Sequence, residues 1–273
     1  MKVALVTGAN SGFGKLTTLQ LAKNGYTIFA TMRNLSNKEN LIAEAKQLGI
    51  DKYICPVKMD VTCLDDIEKV YKYMRSHSDK LDVLINNAGF CQAGFFEELS
   101  KEEWEEQIAT NVFGVIHVTK KMLPLLKRAK GKVINISSVN GILGYPGMSP
   151  YATSKFAIEG LSESLRLELV LEGVFVSVIE PAAYQTNIWT KSLERIDLEK
   201  KRSPFQTNLI DEAVKSKNNS GDPMEIALLI EKICKTKKPR FRYPVGKGAK
   251  RLAMAKRFLP WSFIEKIALA KLK

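Results

Sequence analysis

Short apolar runs rich in β-branched residues alternate with longer stretches of helical periodicity along most of this chain. Consecutive apolar positions suit strands that are covered on both faces of a sheet. We expect such strands at residues 3–6, 27–32, 53–59, 81–85, 133–136, 174–180 and 241–245. The intervening stretches predict helices at 15–24, 38–48, 64–77, from an N-cap at Ser100 to 126, at 150–172 and at 223–236. This alternation indicates βαβ units and therefore an α/β fold with a parallel sheet.

A glycine-rich turn follows the first predicted strand. The residues from Thr7 to Gly14 read TGANSGFG, and a helix is predicted to begin at Lys15. Backbone N–H groups and the positive end of a helix dipole bind phosphate at such a turn. A P-loop is excluded, because it needs glycine where Ala9 stands and serine or threonine where Leu16 stands. The turn predicts dinucleotide binding, and a plain strand–helix connector is the alternative.

The end of the second predicted strand indicates which dinucleotide would bind. An Asp or Glu normally accepts a hydrogen bond from the ribose 2′-hydroxyl of NAD at this position, but here Thr31 is followed by Arg33. A guanidinium suits a 2′-phosphate, so the sequence favours NADP over NAD. In the alternative interpretation, Arg33 is a solvated loop charge.

Candidate acid–base chemistry lies in the second half of the chain. Ser138 follows the predicted strand 133–136, and the next helix, opened by Pro150, carries Tyr151 and Lys155 one turn apart. The three side chains are predicted to converge on one point. A free phenol has a pKa near ~10, and a neighbouring ammonium favours the phenolate, so we expect Lys155 to lower the pKa of Tyr151.

With Ser138 holding a substrate oxygen, Tyr151 would act as a general acid or base. In the alternative interpretation, Tyr151 and Lys155 are an ordinary helix pair, and Ser138 is a strand-end cap.

Amide side chains mark two further positions. The fourth predicted strand runs into the turn from Asn86 to Gly89, at a carboxyl end where parallel sheets bind ligands. The loop at 90–96 would line a substrate pocket or pack in an aromatic core. Asn111 lies on an otherwise apolar helical stretch and must find partners there. It would bind backbone and an ordered water leading towards Lys155, or else satisfy a helix kink.

Composition limits the class of protein. At 273 residues, 45% of them apolar, the chain is long enough for one large globular domain or two small ones. The apolar run after Met1 is too short for a signal peptide or a membrane span. The four cysteines are scattered, which predicts reduced thiols and a cytoplasmic location. With only His77 and His117 present, we expect no metal site and no Ser-His-Asp triad.

The positive charge is concentrated at the C-terminus. Residues 232–273 contain 14 Lys and Arg against one acidic residue, Glu265, and their net charge of +13 equals that of the whole chain. We expect a final helix capped by Ser262, with Glu265 at the capping-box position. A basic amphipathic tail suggests peripheral contact with an anionic membrane, at its inner face.

We favour the alternative, in which the helix packs over the substrate pocket or a dimer seam, because no face of the tail is continuously apolar. No DNA-reading helix is recognisable, so nucleic acid is not expected as a partner.

In order and spacing, these residues resemble the short-chain dehydrogenase/reductase superfamily. The resemblance covers roughly residues 1–190. It rests on Thr7-Gly8-x-x-x-Gly12-x-Gly14, Asp60, Asn86-Asn87-Ala88-Gly89, Asn111, Ser138, Tyr151-x-x-x-Lys155 and Pro181 to Thr186. It implies a Rossmann fold, a doubly wound parallel sheet of seven strands in a single domain. It also implies a catalytic tetrad of Asn111, Ser138, Tyr151 and Lys155, in which Lys155 contacts the nicotinamide ribose and Asn111 holds a water in a proton relay.

The same resemblance implies the NADP(H) contacts. Pro181 and Thr186 would meet the nicotinamide side, and Asp60-Val61 the adenine side. The segments at 30–33 and 87–94 resemble the NADP-linked hydroxysteroid and retinol dehydrogenase branch. The expected cofactor-binding residues are Gly8, Asn10, Ser11, Gly12, Phe13, Gly14, Arg33, Asp60, Val61, Asn87, Ala88, Gly89, Tyr151, Lys155, Pro181 and Thr186.

Two residues depart from the family pattern. Phe13 replaces a small aliphatic residue between the last two glycines of the turn, which should be tolerated. Ala182 replaces the glycine that usually follows the proline. If that position needs a positive φ, the change costs about 1 kcal/mol and would shift the cofactor.

The resemblance implies an NADP(H)-dependent oxidoreductase that interconverts a secondary alcohol and a carbonyl, acting on a hydrophobic, lipid-like small molecule, with Tyr151 as general acid/base. A non-catalytic, NADP-sensing binding protein with a basic interaction tail is the alternative. Residues 1–190 would form the dinucleotide-binding core with the tetrad. Residues 191–273 would add a substrate lid, the last strand and basic C-terminal helices of the same domain; the lid itself is expected at 187–222, a polar and weakly periodic segment. The family also suggests a homodimer or homotetramer.

Overall fold

Seven strands form a single sheet in the computed structural model, which describes residues 1–186, 188, 192, 202–218 and 220–271. All neighbouring strands are parallel, in the order β3-β2-β1-β4-β5-β6-β7. The expected seven-stranded Rossmann sheet is therefore confirmed. The strands are β1 (Lys2–Thr7), β2 (Tyr26–Met32), β3 (Ile54–Lys58), β4 (Val83–Asn86), β5 (Lys132–Ile136), β6 (Phe175–Pro181) and β7 (Arg242–Val245).

Helices connect these strands and extend beyond the last of them. A π-helical segment, Ala109–Phe113, joins the fourth helix to the fifth. The α-helices are α1 (Gly12–Lys23), α2 (Glu39–Gln47), α3 (Leu64–His77), α4 (Lys101–Ile108), α5 (Gly114–Ala129), α6 (Ser149–Leu169), α7 (Pro204–Asn218), α8 (Met224–Lys235), α9 (Ala249–Phe258) and α10 (Trp261–Lys271).

The sheet is apolar on both faces, because successive residues of each strand point to opposite sides. Ala4 and Val6 of β1 belong to a core that also contains buried residues of α1, α2 and α8. Val3 and Leu5 belong to a second core, shared with α3 and α5. The chain therefore folds into three layers, with helices on both faces of the sheet.

The strand order reverses between β1 and β4. From β1 the chain moves outwards through β2 and β3, then crosses back to β4 and continues to β7. At such a reversal the loops after the two strands diverge and leave a crevice at the carboxyl edge of the sheet. The glycine turn after β1 and the Asn87–Gly89 turn after β4 flank this crevice.

Part of the segment expected to be a lid is helical. Helix α7 begins at Pro204, after Ser203. The Ser203 hydroxyl accepts a hydrogen bond from the Gln206 amide (3.3 Å), and the Gln206 side chain accepts one from the Ser203 amide (3.0 Å). This is a capping box with proline at the first helical position. The other lid residues, at 187, 189–191, 193–201 and 219, lie outside the described residues, so the lid itself stays a prediction.

The expected cap of the last helix is wrong. Helix α10 begins at Trp261, so Ser262 lies inside its first turn rather than at the N-cap. The amides of Phe263 and Ile264 bond to the Pro260 carbonyl (3.1 and 3.3 Å), so the helix starts two residues earlier than expected. Among the described residues, no helix has the length and apolar character needed to cross a bilayer.

A buried amide pair fastens the centre of the sheet to its helices. The Asn86 side chain donates to Thr119 Oγ1 (2.9 Å) and to Asn135 Oδ1 (2.8 Å). Asn135 Nδ2 in turn donates to Ser162 Oγ (2.8 Å), on α6. These bonds join β4, β5, α5 and α6 directly beneath the carboxyl edge, so they hold the elements that carry the site.

We expect Asn135→Ala to lower the free energy of unfolding by about 2 kcal/mol, because it removes two buried hydrogen bonds and leaves a small cavity. Urea denaturation measures this loss. Asn40→Ala, at an exposed position of α2, makes the same chemical change and should alter stability by less than about 0.5 kcal/mol. Equal losses in the two variants would contradict the role of the buried network.

Candidate active site

A cavity of about 480 Å³ opens at the carboxyl edge of the sheet, where the loops after strands β1 to β6 meet. It is lined by Ser138 and by every expected cofactor-binding residue except Gly14. Its size and its position at the strand reversal are those of a small-molecule site in an open α/β fold.

The glycine turn forms one wall of the cavity. Gly8 and Gly12 have φ values of +66° and +52°, which L-residues rarely adopt. A Cβ at Gly14 would lie 2.2 Å from the Gly8 carbonyl oxygen. Gly14 therefore does not line the cavity as expected; instead it lets α1 pack directly under the turn.

The start of α1 is open to an anion. In the described part of the chain Ser11, the N-cap of this helix, makes no side-chain capping bond, and no acidic residue stands in its first turn. The N–H groups of the first turn and the positive end of the helix dipole therefore face this site. Left-handed glycines and an open helix start together fit the diphosphate of a dinucleotide.

Asn87 holds the two flanking turns together. Its side-chain amide donates to the carbonyls of Thr7 (2.9 Å) and Gly8 (3.1 Å). The Thr7 hydroxyl accepts from the backbone amides of Asn87 (3.0 Å) and Ala88 (2.9 Å). The turn after β4 is therefore fixed against the glycine turn by four bonds.

A polar end of the cavity lies beyond β2 and β3. Arg33 is exposed there, beside Asn34 and Asn37, and forms no ion pair within the described residues. The Asp60 carboxylate accepts from the amide and hydroxyl of Thr62 (2.9 and 2.7 Å). A guanidinium without an acidic partner suits a phosphate group.

Ser138, Tyr151 and Lys155 meet at the opposite end, as predicted. All three are less than 10% exposed and line the same cavity. Lys155 Nζ lies 5.4 Å from the centre of the Tyr151 ring and donates to the Ile136 carbonyl (2.8 Å). The hydroxyl, the phenol and the ammonium therefore surround one small volume.

The expected lowering of the Tyr151 pKa is wrong. Burial raises the pKa of Tyr151 above its ordinary value, and nearby Cys91 raises it further, while a hydrogen bond with Ser138 lowers it. Burial also lowers the pKa of Lys155 to about 8, against the effects of Cys91 and Glu159, which raise it. The ammonium bonds to a backbone carbonyl rather than to the phenol, so at neutral pH Tyr151 carries its proton.

Asn111 lies in the π-helical segment between α4 and α5. Its Oδ1 accepts from the Phe90 amide (3.1 Å), and its Nδ2 donates to the Phe90 carbonyl (2.9 Å) and to Ser154 Oγ (3.1 Å). Both interpretations of this residue hold in part, since it binds backbone and stands at a helix irregularity. It does not line the cavity, but it ties the loop after β4 to the residue next to Lys155.

A charge cluster behind Lys155, in which two buried carboxylates share an exposed arginine, was missed by the sequence analysis. Glu159 lies one turn after Lys155, and Arg242 bonds both to it and to Glu180 (3.0 Å to the latter). Burial, together with the nearby Glu180, raises the pKa of Glu159 to about 7, while hydrogen bonds with Ser137 and Arg242 and the charge of Arg242 lower it. The i, i+4 spacing from Lys155 was the available signal, because it puts a carboxylate on the buried face of α6.

The two departures from the family pattern cause no strain. Among the described non-glycine residues only Lys130 has a left-handed φ, so Ala182 does not need the conformation that would have made it costly. Phe13 packs edge-to-face on Tyr184, with ring centres 5.5 Å apart. Tyr184, whose hydroxyl donates to Glu225 (2.6 Å), also lines the cavity and was not predicted.

Comparison with known proteins agrees with this geometry. The family model described as short chain dehydrogenase matches residues 2–197. An uncharacterized oxidoreductase of Bacillus subtilis, YusZ, is 39% identical over 99% of this chain and 98% of its own length. A 3-ketodihydrosphingosine reductase of Bacteroides thetaiotaomicron is 34% identical over 95% of this chain and 93% of its own length.

Solved structures share the whole fold. A short-chain dehydrogenase from Streptomyces avermitilis has a TM-score of 0.81 and 29% identity, over 97% of each chain. An alcohol dehydrogenase from Thermococcus sibiricus, complexed with 5-hydroxy-NADP, has a TM-score of 0.73 and 26% identity. That match covers 89% of this chain and 94% of the archaeal one.

We expect Glu159→Gln to move the titration of Lys155 to lower pH by about one pH unit, because the carboxylate that favours the ammonium is removed. NMR of reductively ¹³C-methylated lysines follows this titration, which should centre near pH 8 in the unaltered protein. Glu163→Gln is the matched control, because Glu163 bonds the same Arg242 (3.2 Å) but is exposed. A Lys155 titration that moves equally in both variants would rule out a specific effect of Glu159.

Proposed function

The chain belongs to the short-chain dehydrogenase/reductase family, and on this premise we propose that it is an NADP(H)-dependent oxidoreductase that interconverts a secondary alcohol and a carbonyl. The observation that carries the proposal is the meeting of Ser138, Tyr151 and Lys155 in the cavity that also contains the glycine turn. Acid–base groups for a substrate oxygen and a cradle for a dinucleotide thus share one volume.

The cofactor would lie along the carboxyl edge of the sheet. The turn at Gly8 to Gly12 and the start of α1 would hold its diphosphate. Arg33 and Asp60 would hold the adenosine half, while Lys155, Pro181 and Thr186 would hold the nicotinamide half. When bound, the nicotinamide supplies hydride transfer to or from carbon, and the protein supplies orientation and proton transfer.

Tyr151 is the proposed acid and base. Its raised pKa keeps the phenol protonated at neutral pH, which suits donation to a carbonyl oxygen during reduction. The Ser138 hydroxyl would fix the substrate oxygen next to it. The ammonium of Lys155 would stabilise the phenolate that remains. Asn111 would hold α6 in register with the loop that follows β4, and it would also hold a water in a proton relay.

The preference for NADP rests on Arg33. The guanidinium faces the polar end of the cavity and has no acidic partner among the described residues, so a 2′-phosphate would supply one. The complex of the Thermococcus sibiricus relative with 5-hydroxy-NADP supports the same assignment.

A hydrophobic, lipid-like substrate is the second part of the proposal. Around Tyr151, the side chains of Cys91, Ala93 and Met148 form an apolar cluster, with Ile188 packed against it. Such walls favour an apolar group next to the reacting oxygen. The related 3-ketodihydrosphingosine reductase, by its name, acts on a lipid of this kind.

The cellular setting belongs to the same proposal. All four cysteines are free, which suits a reducing, cytoplasmic compartment. Self-association into a homodimer or homotetramer is supported by large apolar side chains exposed on α6 and just after it, among them Leu167 and Leu171.

The proposal is tested by following NADPH absorbance at 340 nm, as is usual for this cofactor, over a panel of carbonyl compounds that includes long-chain β-keto lipids. Turnover with at least one member supports an oxidoreductase. Tight NADPH binding with no turnover over the panel would favour the alternative, a cofactor-sensing binding protein.

We expect Tyr151→Phe to lower kcat by about a hundredfold or more, because it removes the proton donor while keeping the ring. The Kd for NADPH, measured by fluorescence, should stay within about twofold, since the hydroxyl is not needed to hold the diphosphate. Tyr73→Phe removes a hydroxyl from α3, away from the cavity, and serves as control. Full activity in Tyr151→Phe would rule out the mechanism.

We expect Arg33→Glu to raise the Kd for NADPH by about ten- to a hundredfold, because a charge-assisted bond is replaced by repulsion. Affinity for NADH should change little, and isothermal titration measures both. Lys38→Glu reverses an exposed charge on the following turn and should have less than about a threefold effect. Similar losses for NADH and NADPH in Arg33→Glu would contradict a 2′-phosphate contact.

A further inference from the structure

The two C-terminal helices expose large apolar side chains to solvent. Phe258 is 71% exposed, Trp261 56% and Phe263 51%. Met254 lies one turn before Phe258 on α9, and Ile267 lies one turn after Phe263 on α10, and both are exposed. We call the exposed side of α9, α10 and the turn between them the C-terminal surface. An exposed apolar area of this kind marks an interaction site.

Cations flank these apolar residues on the same faces. Lys250 and Arg257 are four residues before and three after Met254, so they lie beside it on α9. Lys256 Nζ lies 4.8 Å from the centre of the Trp261 ring, and the Arg257 guanidinium lies 5.5 Å from that of Phe258. Within the described residues, none of these cations forms an ion pair, so their charge is available to a partner.

The C-terminal surface is fixed to the rest of the protein. Ala249 and Ile264 are buried, and they anchor one side of each helix. Helix α9 packs against β7 and against the 139–141 turn, which directly follows Ser138. The surface therefore adjoins the wall of the active-site cavity and is not a detached tail.

We propose that the C-terminal surface binds the headgroup region of an anionic lipid bilayer, with its aromatic side chains inserted at the interface and its cations against lipid phosphates. Charge complementarity identifies this occupant, because α9 and α10 carry six Lys and Arg against one acidic residue, Glu265. A second copy of the chain would bring like charges face to face. Nucleic acid would satisfy the cations but would leave Met254 and Ile267 without an apolar environment, whereas acyl chains provide one.

Co-sedimentation with vesicles tests this inference on the full-length protein. Vesicles of phosphatidylcholine alone are compared with vesicles of equal parts phosphatidylcholine and phosphatidylserine, at low and high salt. We expect sedimentation with the anionic vesicles, weakened by salt, and little with the neutral ones. The inference concerns binding alone and does not depend on the reaction, so a failure of either leaves the other intact.

Two sets of variants distinguish binding through the C-terminal surface from a general effect of net charge or hydrophobicity. The triple change Lys250→Glu, Lys256→Glu and Arg257→Glu should lower the partition coefficient at least about tenfold. The control, Lys23→Glu, Lys46→Glu and Lys69→Glu, changes net charge equally at exposed positions of α1, α2 and α3 and should stay within about threefold. Phe258→Ser with Trp261→Ser should also lose binding, whereas Leu64→Ser with Leu228→Ser, exposed elsewhere, should not. Circular dichroism verifies the folding of each variant.

Three results would overturn the inference. The first is no sedimentation with anionic vesicles, and the second is an equal loss in the test and control variants. The third is light scattering that shows a dimer dissociated by Phe258→Ser with Trp261→Ser, which would assign the surface to a second copy. Binding to duplex DNA without binding to vesicles would likewise overturn it in favour of nucleic acid.

Discussion

The hydrogen bond from Lys155 Nζ to the Ile136 carbonyl is the contact on which the geometry of the site depends. A buried ammonium needs a partner, and this one ties α6 to the last residue of β5. Tyr151 stands one turn earlier on the same face of α6, and Ser138 stands two residues beyond Ile136. A single bond between a helix and a strand therefore sets the spacing of all three polar groups.

Along the wall formed by the glycine turn, the constraint lies in the backbone. Gly14 lets α1 approach the Gly8 carbonyl, and Asn87 bridges the turns after β1 and β4. This wall presents mainly backbone groups, whereas the end near Tyr151 presents side chains. This arrangement suits an invariant diphosphate on the glycine turn and a variable substrate beside Tyr151. Only the side chains around Tyr151 can change without disturbing the sheet.

Local pattern predicted the sheet, its helices and most of the cavity lining, because periodicity, glycine positions and i, i+4 spacing are properties of neighbouring residues. It did not predict the raised pKa of Tyr151, since spacing along a helix says nothing about lost water or about a backbone carbonyl that takes the ammonium. Nor did it predict the contact between Glu159 and Arg242, because these residues are 83 positions apart in the sequence. The capping box of α7, formed by Ser203 and Gln206, has a recognisable sequence pattern. It was not predicted, because the surrounding segment is polar and weakly periodic and was therefore assigned to a lid.

Arg242 has a consequence for how far the chain can be shortened. From the short edge strand β7 it reaches two carboxylates of other elements, Glu159 and Glu180, whose side chains are only 6% and 2% exposed. A truncation after Gly246 would keep this cation, but one before β7 would leave two buried carboxyl groups without the partner that lowers their pKa values, at a cost of about 3–5 kcal/mol. The core therefore needs the chain at least as far as β7, some fifty residues beyond the point where the family pattern ends.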